Sequence, residues 1–167
     1  DKVAALNAHY LKAMPAGEAL ALALPFIAEA GWDAPGNEEQ ARLERAMPSI
    51  ADRSKTLRDV ADMARFFLQA PPINMEDKAR KALDEGGLAV LRDMQTVLAT
   101  VDEWDEYSIK AALMAYAEAK EVKLGKVFQP LRAALTGAMA SPGVTEVAFA
   151  FGPEKTQHHI AAVLDDA

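Results

Sequence analysis

The chain has 167 residues, 51% hydrophobic and 26% charged, enough for one sizeable domain or two small ones with real cores. It has no cysteine, which excludes disulfides and thiolate metal sites and fits a reducing cytosol. Its net charge of −7, taken alone, argues against a nucleic-acid partner, because phosphate binding needs clustered Lys and Arg.

The pattern is helical almost throughout. Val3, Leu6, Tyr10 and Leu11 recur at three- and four-residue spacing and share a face. A second helix is predicted from about Pro15 to Gly31, with Pro suited to a first turn and Gly to an end. Trp32 to Gly36 reads as a loop. Glu38 to about Met47 is a short helix carrying Arg42 and Arg45, disturbed at its end by Pro48. Leu57, Val60, Ala61, Ala64, Phe67 and Leu68 form an apolar stripe on a helix from about Lys55, which Pro71-Pro72 stops. Met75 to Ala99 is helical with a weak point at Gly86-Gly87. Glu103 to Lys120 carries Trp104, Ile109, Leu113 and Tyr116, and Leu124 to Leu135 is closed by Gly137. Ser141-Pro142-Gly143 is a turn. Val144 to Phe151 is helix or strand by composition, its neighbours favouring helix, and Glu154 to Leu164 is the last helix. The fold class is therefore all-α, a multi-helix bundle. The Pro71-Pro72 break divides it into two packed helical subdomains, 1–70 and 73–167.

Charge is segregated along the chain. From Met75 to Glu106 there are nine acids (Glu76, Asp77, Asp84, Glu85, Asp93, Asp102, Glu103, Asp105, Glu106) against four bases (Lys78, Arg80, Lys81, Arg92). From Lys120 to Arg132 there are four bases (Lys120, Lys123, Lys126, Arg132) against one acid, Glu121. An acidic total can thus coexist with a basic surface able to face RNA. No apolar run approaches the roughly 18 residues that span a bilayer, and the opening residues do not resemble a signal peptide.

Little in the chain points to catalysis. His158 and His159 are adjacent, so on a helix they point about 100° apart and cannot easily chelate one metal; both read as polar helix surface. His9 reads as a surface or interface residue. No glycine-rich phosphate loop is present, and Ser141 sits in a turn with no nearby histidine in sequence. No catalytic residue and no metal ligand is assigned.

One stretch changes this picture. Lys123-Leu-Gly-Lys-Val-Phe-Gln-Pro-Leu-Arg132-Ala-Ala-Leu-Thr-Gly137, followed by Ser141-Pro142-Gly143, resembles the signature of the C-terminal domain of bacterial-type glutamyl-tRNA synthetases. Arg53-Ser-Lys-Thr-Leu57 with Phe66-Phe67 is similar to a second pattern of that family. Asp1-Lys2 with Asn7-Ala8-His9-Tyr10-Leu11 looks like the segment where its chain leaves the catalytic core, and Trp104 matches a common tryptophan. The resemblance runs the length of the chain and is strongest over 120–143. Two catalytic signatures of the family, His-Ile-Gly-His and Lys-Met-Ser-Lys-Ser, are absent.

The resemblance implies a helical cage that grips the anticodon loop of tRNA(Glu). Residues 1–70 would link a missing catalytic core to the anticodon-binding subdomain 73–167. The implied protein is a cytoplasmic, monomeric glutamate–tRNA ligase, here a fragment inactive by itself, with ATP and Mg2+ belonging to the parent enzyme and no cofactor to the fragment. It implies that Arg53 reads the third anticodon base, separating the C of glutamate tRNA from the G of glutamine tRNA. An Arg can offer two donors to a base edge; otherwise Arg53 is a surface residue pairing with Asp52 or Asp59. It implies an anticodon contact for Arg132, which otherwise makes an intrahelical ion pair. Gln129 offers an amide to a base edge or caps a helix. Leu124 walls a base or packs in the core. Ser141, Pro142 and Val144 hold an unstacked base or form an ordinary turn. Lys120, Lys123 and Lys126 are phosphate contacts or solvated helix positions. Met114 stands where some relatives have a further Arg, so any hydrogen bond made there is lost. Phe128 is bulkier than the usual small residue and is expected to be buried. Among readings from another class, a stand-alone helical module binding a protein through its acidic surface is the alternative; competition by RNA separates the two.

Overall fold

The computed structural model describes residues 8–167, in which nine helices and no strand are found. Val3 and Leu6 of the first apolar stripe, and Asp1, Lys2 and Asn7 of the first matching segment, lie outside the described residues. The chain divides into two compact units, Asp1–Gln69 and Ala70–Ala167.

The first unit holds α1 (Ala8–Ala13), α2 (Ala16–Glu29), α3 (Asn37–Asp52) and α4 (Leu57–Leu68). Its core is built from the stripes Ala19, Leu20, Ala23 and Ile27 on α2, Leu43, Ala46, Met47 and Ile50 on α3, and Leu57, Val60, Ala61, Ala64 and Phe67 on α4. Each buried Leu, Ile or Phe stabilises by about 1.5–3 kcal/mol relative to exposure. Helix α3 does not end near Met47. It runs through Pro48 to Asp52, because Leu43, Ala46 and Met47 before the proline and Ile50 and Ala51 after it bury on one face. That burial outweighs the single backbone hydrogen bond a proline removes. The helix start near residue 55 is fixed by local chemistry. Thr56 Oγ1 accepts from the Asp59 N–H at 3.1 Å, and the Asp59 carboxylate accepts from the N–H groups of Lys55 and Thr56 at 2.9 and 3.1 Å.

The second unit holds α5 (Asp77–Lys81), α6 (Glu85–Ala99), α7 (Glu106–Lys120), α8 (Gly125–Thr136) and α9 (Val144–Asp165). The weak point expected at Gly86-Gly87 lies earlier, between Lys81 and Glu85. Asp84 caps α6 by accepting from the Gly87 N–H at 2.8 Å. Gly87 is in the first turn because a Cβ there would sit 1.9 Å from the Ala82 carbonyl oxygen. The two helices expected at the C-terminal end are the halves of α9, parted at Gly152 (φ 84°, ψ 165°) ahead of Pro153. Near this break the Ala148 carbonyl accepts from the Trp104 indole at 2.9 Å and the Thr156 hydroxyl at 3.3 Å. Leu91, Met94 and Leu98 of α6, Ile109 and Leu113 of α7, Val127 and Leu131 of α8 and Val147 and Ile160 of α9 form the core.

Two side chains depart from the sequence expectation. His159 is not polar surface: it is 1% exposed, packed 4.8 Å from the Phe151 ring. Burial, and then nearby Lys155, push its pKa down to about 3, so the ring is neutral. Phe128 is half-buried rather than buried.

Candidate nucleic-acid interface

The residues of the signature lie on the first turns of α8 and on the turn that leads into α9. Helix α8 faces the core with Val127, Pro130, Leu131, Ala134 and Leu135. That choice of inner face puts Lys126 and Gln129 outside, both exposed, and leaves Leu124 and Arg132 half-buried at the edge. Rising about 1.5 Å per residue, the span from Lys126 to Arg132 covers about 9 Å.

Among the described residues Arg132 has no ion-pair partner, and its Nε is buried without a hydrogen-bond partner. The intrahelical ion pair that composition allows is therefore absent. Lys123 and Lys126 are exposed and form no ion pair among the described residues. Lys120 is different: its ammonium lies 5.9 Å from the centre of the Tyr116 ring. The Tyr116 hydroxyl donates to Asp93, and burial together with that bond pushes its pKa up to about 12.

The turn is anchored at both ends. Gly137 ends α8 in the left-handed region (φ 70°), and a Cβ there would meet the Asn74 carbonyl oxygen at 1.9 Å. The Glu76 N–H donates to the Gly137 carbonyl at 2.8 Å, tying the segment before α5 to the end of α8. The Thr136 hydroxyl lies 2.7 Å from the Arg132 carbonyl and accepts from the Ala138 N–H at 3.2 Å. On the far side, the Glu146 carboxylate accepts from the Gly143 N–H at 3.3 Å and caps α9. The side chains of the turn do not all face outward. Ser141 is half-buried, its hydroxyl donating to the Pro142 carbonyl at 2.9 Å; Pro142 is buried, and Val144 is 1% exposed. Val144 can therefore address a ligand through its backbone and not through its side chain.

Arg53 lies in the first unit, at the exposed corner between α3 and α4. Its guanidinium donates to the carbonyl and hydroxyl oxygens of Ser49, each at 3.2 Å. The buried Ser54 hydroxyl donates to the Ile50 carbonyl at 2.7 Å, and the Thr56–Asp59 cap closes the other side. These bonds flank Arg53 on both sides of the corner.

Sequence patterning does not single out Tyr107, which is 82% exposed on α7; Met114, on the same helix, is 49% exposed. The periodicity around Ile109 and Leu113 marks what faces inward and is silent on what an outward aromatic does.

Residues 18–164 match the family described as the anticodon binding domain. The chain is 40% identical over 162 residues to glutamate–tRNA ligase 2 of Brucella ovis, covering 93% of this chain and 34% of that protein. It is similar to the same extent to glutamate–tRNA ligase 1 of Brucella melitensis. The chain thus spans about a third of the length of these relatives. In fold it is similar to a crystallised glutamate–tRNA ligase from Elizabethkingia meningosepticum, with a TM-score of 0.78 at 24% identity, covering 95% of this chain and 31% of that one. A glutamate–tRNA synthetase from Elizabethkingia anophelis gives a TM-score of 0.72 at 23% identity.

Proposed function

The chain belongs to the anticodon-binding-domain family, and from that premise we propose that it reads the anticodon loop of tRNA(Glu) as the recognition part of a glutamate–tRNA ligase. The observation that carries this reading is Arg132. The Arg132 side chain stands half-buried at the edge of α8 with no ion pair among the described residues; its Nε is buried, so an outside acceptor would be met by its terminal nitrogens. Gln129, one turn earlier, adds an amide that both donates and accepts. The backbone of the Ser141–Val144 turn supplies further polar groups to a base splayed out of the loop, and the edge of Leu124 an apolar wall. Lys123 and Lys126 contribute charge toward phosphates, which adds affinity and salt dependence without selectivity. Lys120, held over Tyr116, contributes less. Arg53 reads the third anticodon base from its own unit.

The ligase activity itself belongs to the parent protein. Its relatives are about three times the length of this chain, and the ATP and Mg2+ that activation of glutamate requires have no residue assigned here. The chain alone is inactive in aminoacylation, acts in the cytoplasm and is monomeric.

Binding to a fluorescent anticodon stem-loop of tRNA(Glu) at low salt tests the reading. Arg132→Ala is expected to weaken binding about 10- to 100-fold, and Arg132→Lys to recover only part, because Lys lacks the two-pronged donor. A stem-loop that binds wild type and Arg132→Ala equally would remove Arg132 from the interface. No binding by wild type, with an acidic-surface protein partner found instead, would replace RNA recognition by the interaction-module alternative.

A further inference from the structure

Arg53 closes α3 with its side chain as well as its backbone. Its N–H donates to the Ile50 carbonyl at 3.1 Å rather than to the Ser49 carbonyl one turn back. Nη1 of the guanidinium takes that place and donates to the Ser49 carbonyl at 3.2 Å, as basic side chains do at helix C-termini. The same Nη1 donates to Ser49 Oγ, also at 3.2 Å. Both acceptors belong to one residue, a turn earlier and on the same face of α3. The carbonyl would be there whatever residue stood at 49. The hydroxyl is what serine adds.

That second bond fixes more than the first. About a single hydrogen bond the planar guanidinium can swing; two bonds from the two hydrogens of one nitrogen set its plane. Ser49 is half-buried while Arg53 is exposed, so the anchor is shielded and the residue it holds is open to solvent. The acids flanking Arg53 have partners of their own. Asp52 lies 3.3 Å from the Lys12 ammonium, and Asp59 accepts from the N–H groups of Lys55 and Thr56 at 2.9 and 3.1 Å.

The plane of the guanidinium bears on base choice. The pairing edge of cytosine puts two acceptors, O2 and N3, side by side, whereas that of guanine sets one acceptor, O6, beside two donors. A guanidinium has only donors, so two parallel N–H groups can meet cytosine where only one can meet guanine. A guanidinium that swings freely can instead turn toward N7 and O6 of guanine, and selectivity falls. An arginine held before the base arrives also loses less rotamer freedom on binding.

Resting on the reading of Arg53 as the residue that addresses the third anticodon base, we propose that Ser49 is its positioning residue: the Ser49 hydroxyl sets the plane of the Arg53 guanidinium, and with it the preference for cytosine over guanine, without touching the RNA.

The test measures low-salt binding of the whole chain to two anticodon stem-loops that differ only in the third anticodon base, C or G. Wild type, Ser49→Ala, Ser49→Thr and Arg53→Gln are compared. Alanine is the better helix former, so Ser49→Ala is expected to keep its fold, checked by circular dichroism. It should narrow the preference for C about 3- to 10-fold, the net contribution of one hydrogen bond, chiefly by weakening binding of the C stem-loop. Ser49→Thr keeps the hydroxyl and should hold the preference within about twofold of wild type. A Ser49→Ala that weakens both stem-loops alike, leaving their ratio unchanged, would show a structural role only and overturn the proposal. Equal loss of preference in Ser49→Ala and Ser49→Thr would assign the effect to packing and overturn it too. If Arg53→Gln abolishes the preference while Ser49→Ala keeps it whole, positioning by Ser49 is wrong and reading by Arg53 stands. If the wild type shows no preference, or Arg53→Gln retains it, the reading by Arg53 fails and this inference falls with it.

Discussion

Single residues decide how far the interface can be rearranged. Gly137 and Gly31 both have positive φ (70° and 101°), but their surroundings differ. A Cβ at Gly31 meets nothing within 4 Å, whereas at Gly137 it meets the Asn74 carbonyl oxygen at 1.9 Å. Gly31→Ala should therefore cost only the left-handed backbone strain, about 1–2 kcal/mol. Gly137→Ala should cost that strain and also displace the segment before α5, exceeding about 3 kcal/mol in urea denaturation; equal losses would mean that the close approach is easily relieved. His159 gives a pH signature. It is neutral in the fold down to about pH 3, while in the unfolded chain it takes a proton near its ordinary value of 6.5. Between those values the unfolded state binds more protons, so stability falls as pH drops through this window, by up to about 1.4 kcal/mol per unit. Urea midpoints measured at pH 6.5 and 5 should differ in the wild type and converge in His159→Leu; an unchanged slope in the variant would assign the pH effect to other groups.

At the scale of the element, most of the fold is legible in the sequence, and the reason is chemical. Thr56 with Asp59, Asp84 ahead of Gly87, and Gly137 after Leu135 are local signals whose atoms satisfy the ends of helices directly. Where the sequence misleads, the deciding contact is distant. Pro48 looks like a terminator, yet α3 continues through it because residues on both sides bury against α2 and α4. The adjacent histidines look alike, yet one is exposed and the other is in the core, a difference made by packing of α9 and invisible to local pattern. The same holds for the interface: Arg132 and Gln129 are marked by family resemblance, while the burial of Val144 and the placement of Lys120 over Tyr116 come only from the tertiary structure. The capping box at Thr56 fixes the start of α4 beside Arg53. Thr56→Ala should destabilise the first unit by about 1 kcal/mol. It should also loosen the corner that presents Arg53, weakening discrimination at the third anticodon base more than overall affinity. Equal loss for cognate and non-cognate stem-loops would show that the corner does not position Arg53.

Across the whole chain, a net charge of −7 does not oppose RNA binding, because the acids gather between Met75 and Glu106 and four bases follow between Lys120 and Arg132. Replacing Lys123 and Lys126 together by Gln should lower affinity for every stem-loop alike and reduce the salt slope by about 2. Selectivity lost in that variant would mean that these lysines touch bases. The chain belongs to the anticodon-binding-domain family and spans about a third of the length of its relatives.

The most direct measurement is low-salt binding of the chain to two anticodon stem-loops that differ only in the third anticodon base, C or G, with Arg53→Gln beside the wild type. The account predicts a preference for C in the wild type that disappears in Arg53→Gln. Equal binding of both stem-loops by the wild type, or a preference for C that survives in Arg53→Gln, would contradict it.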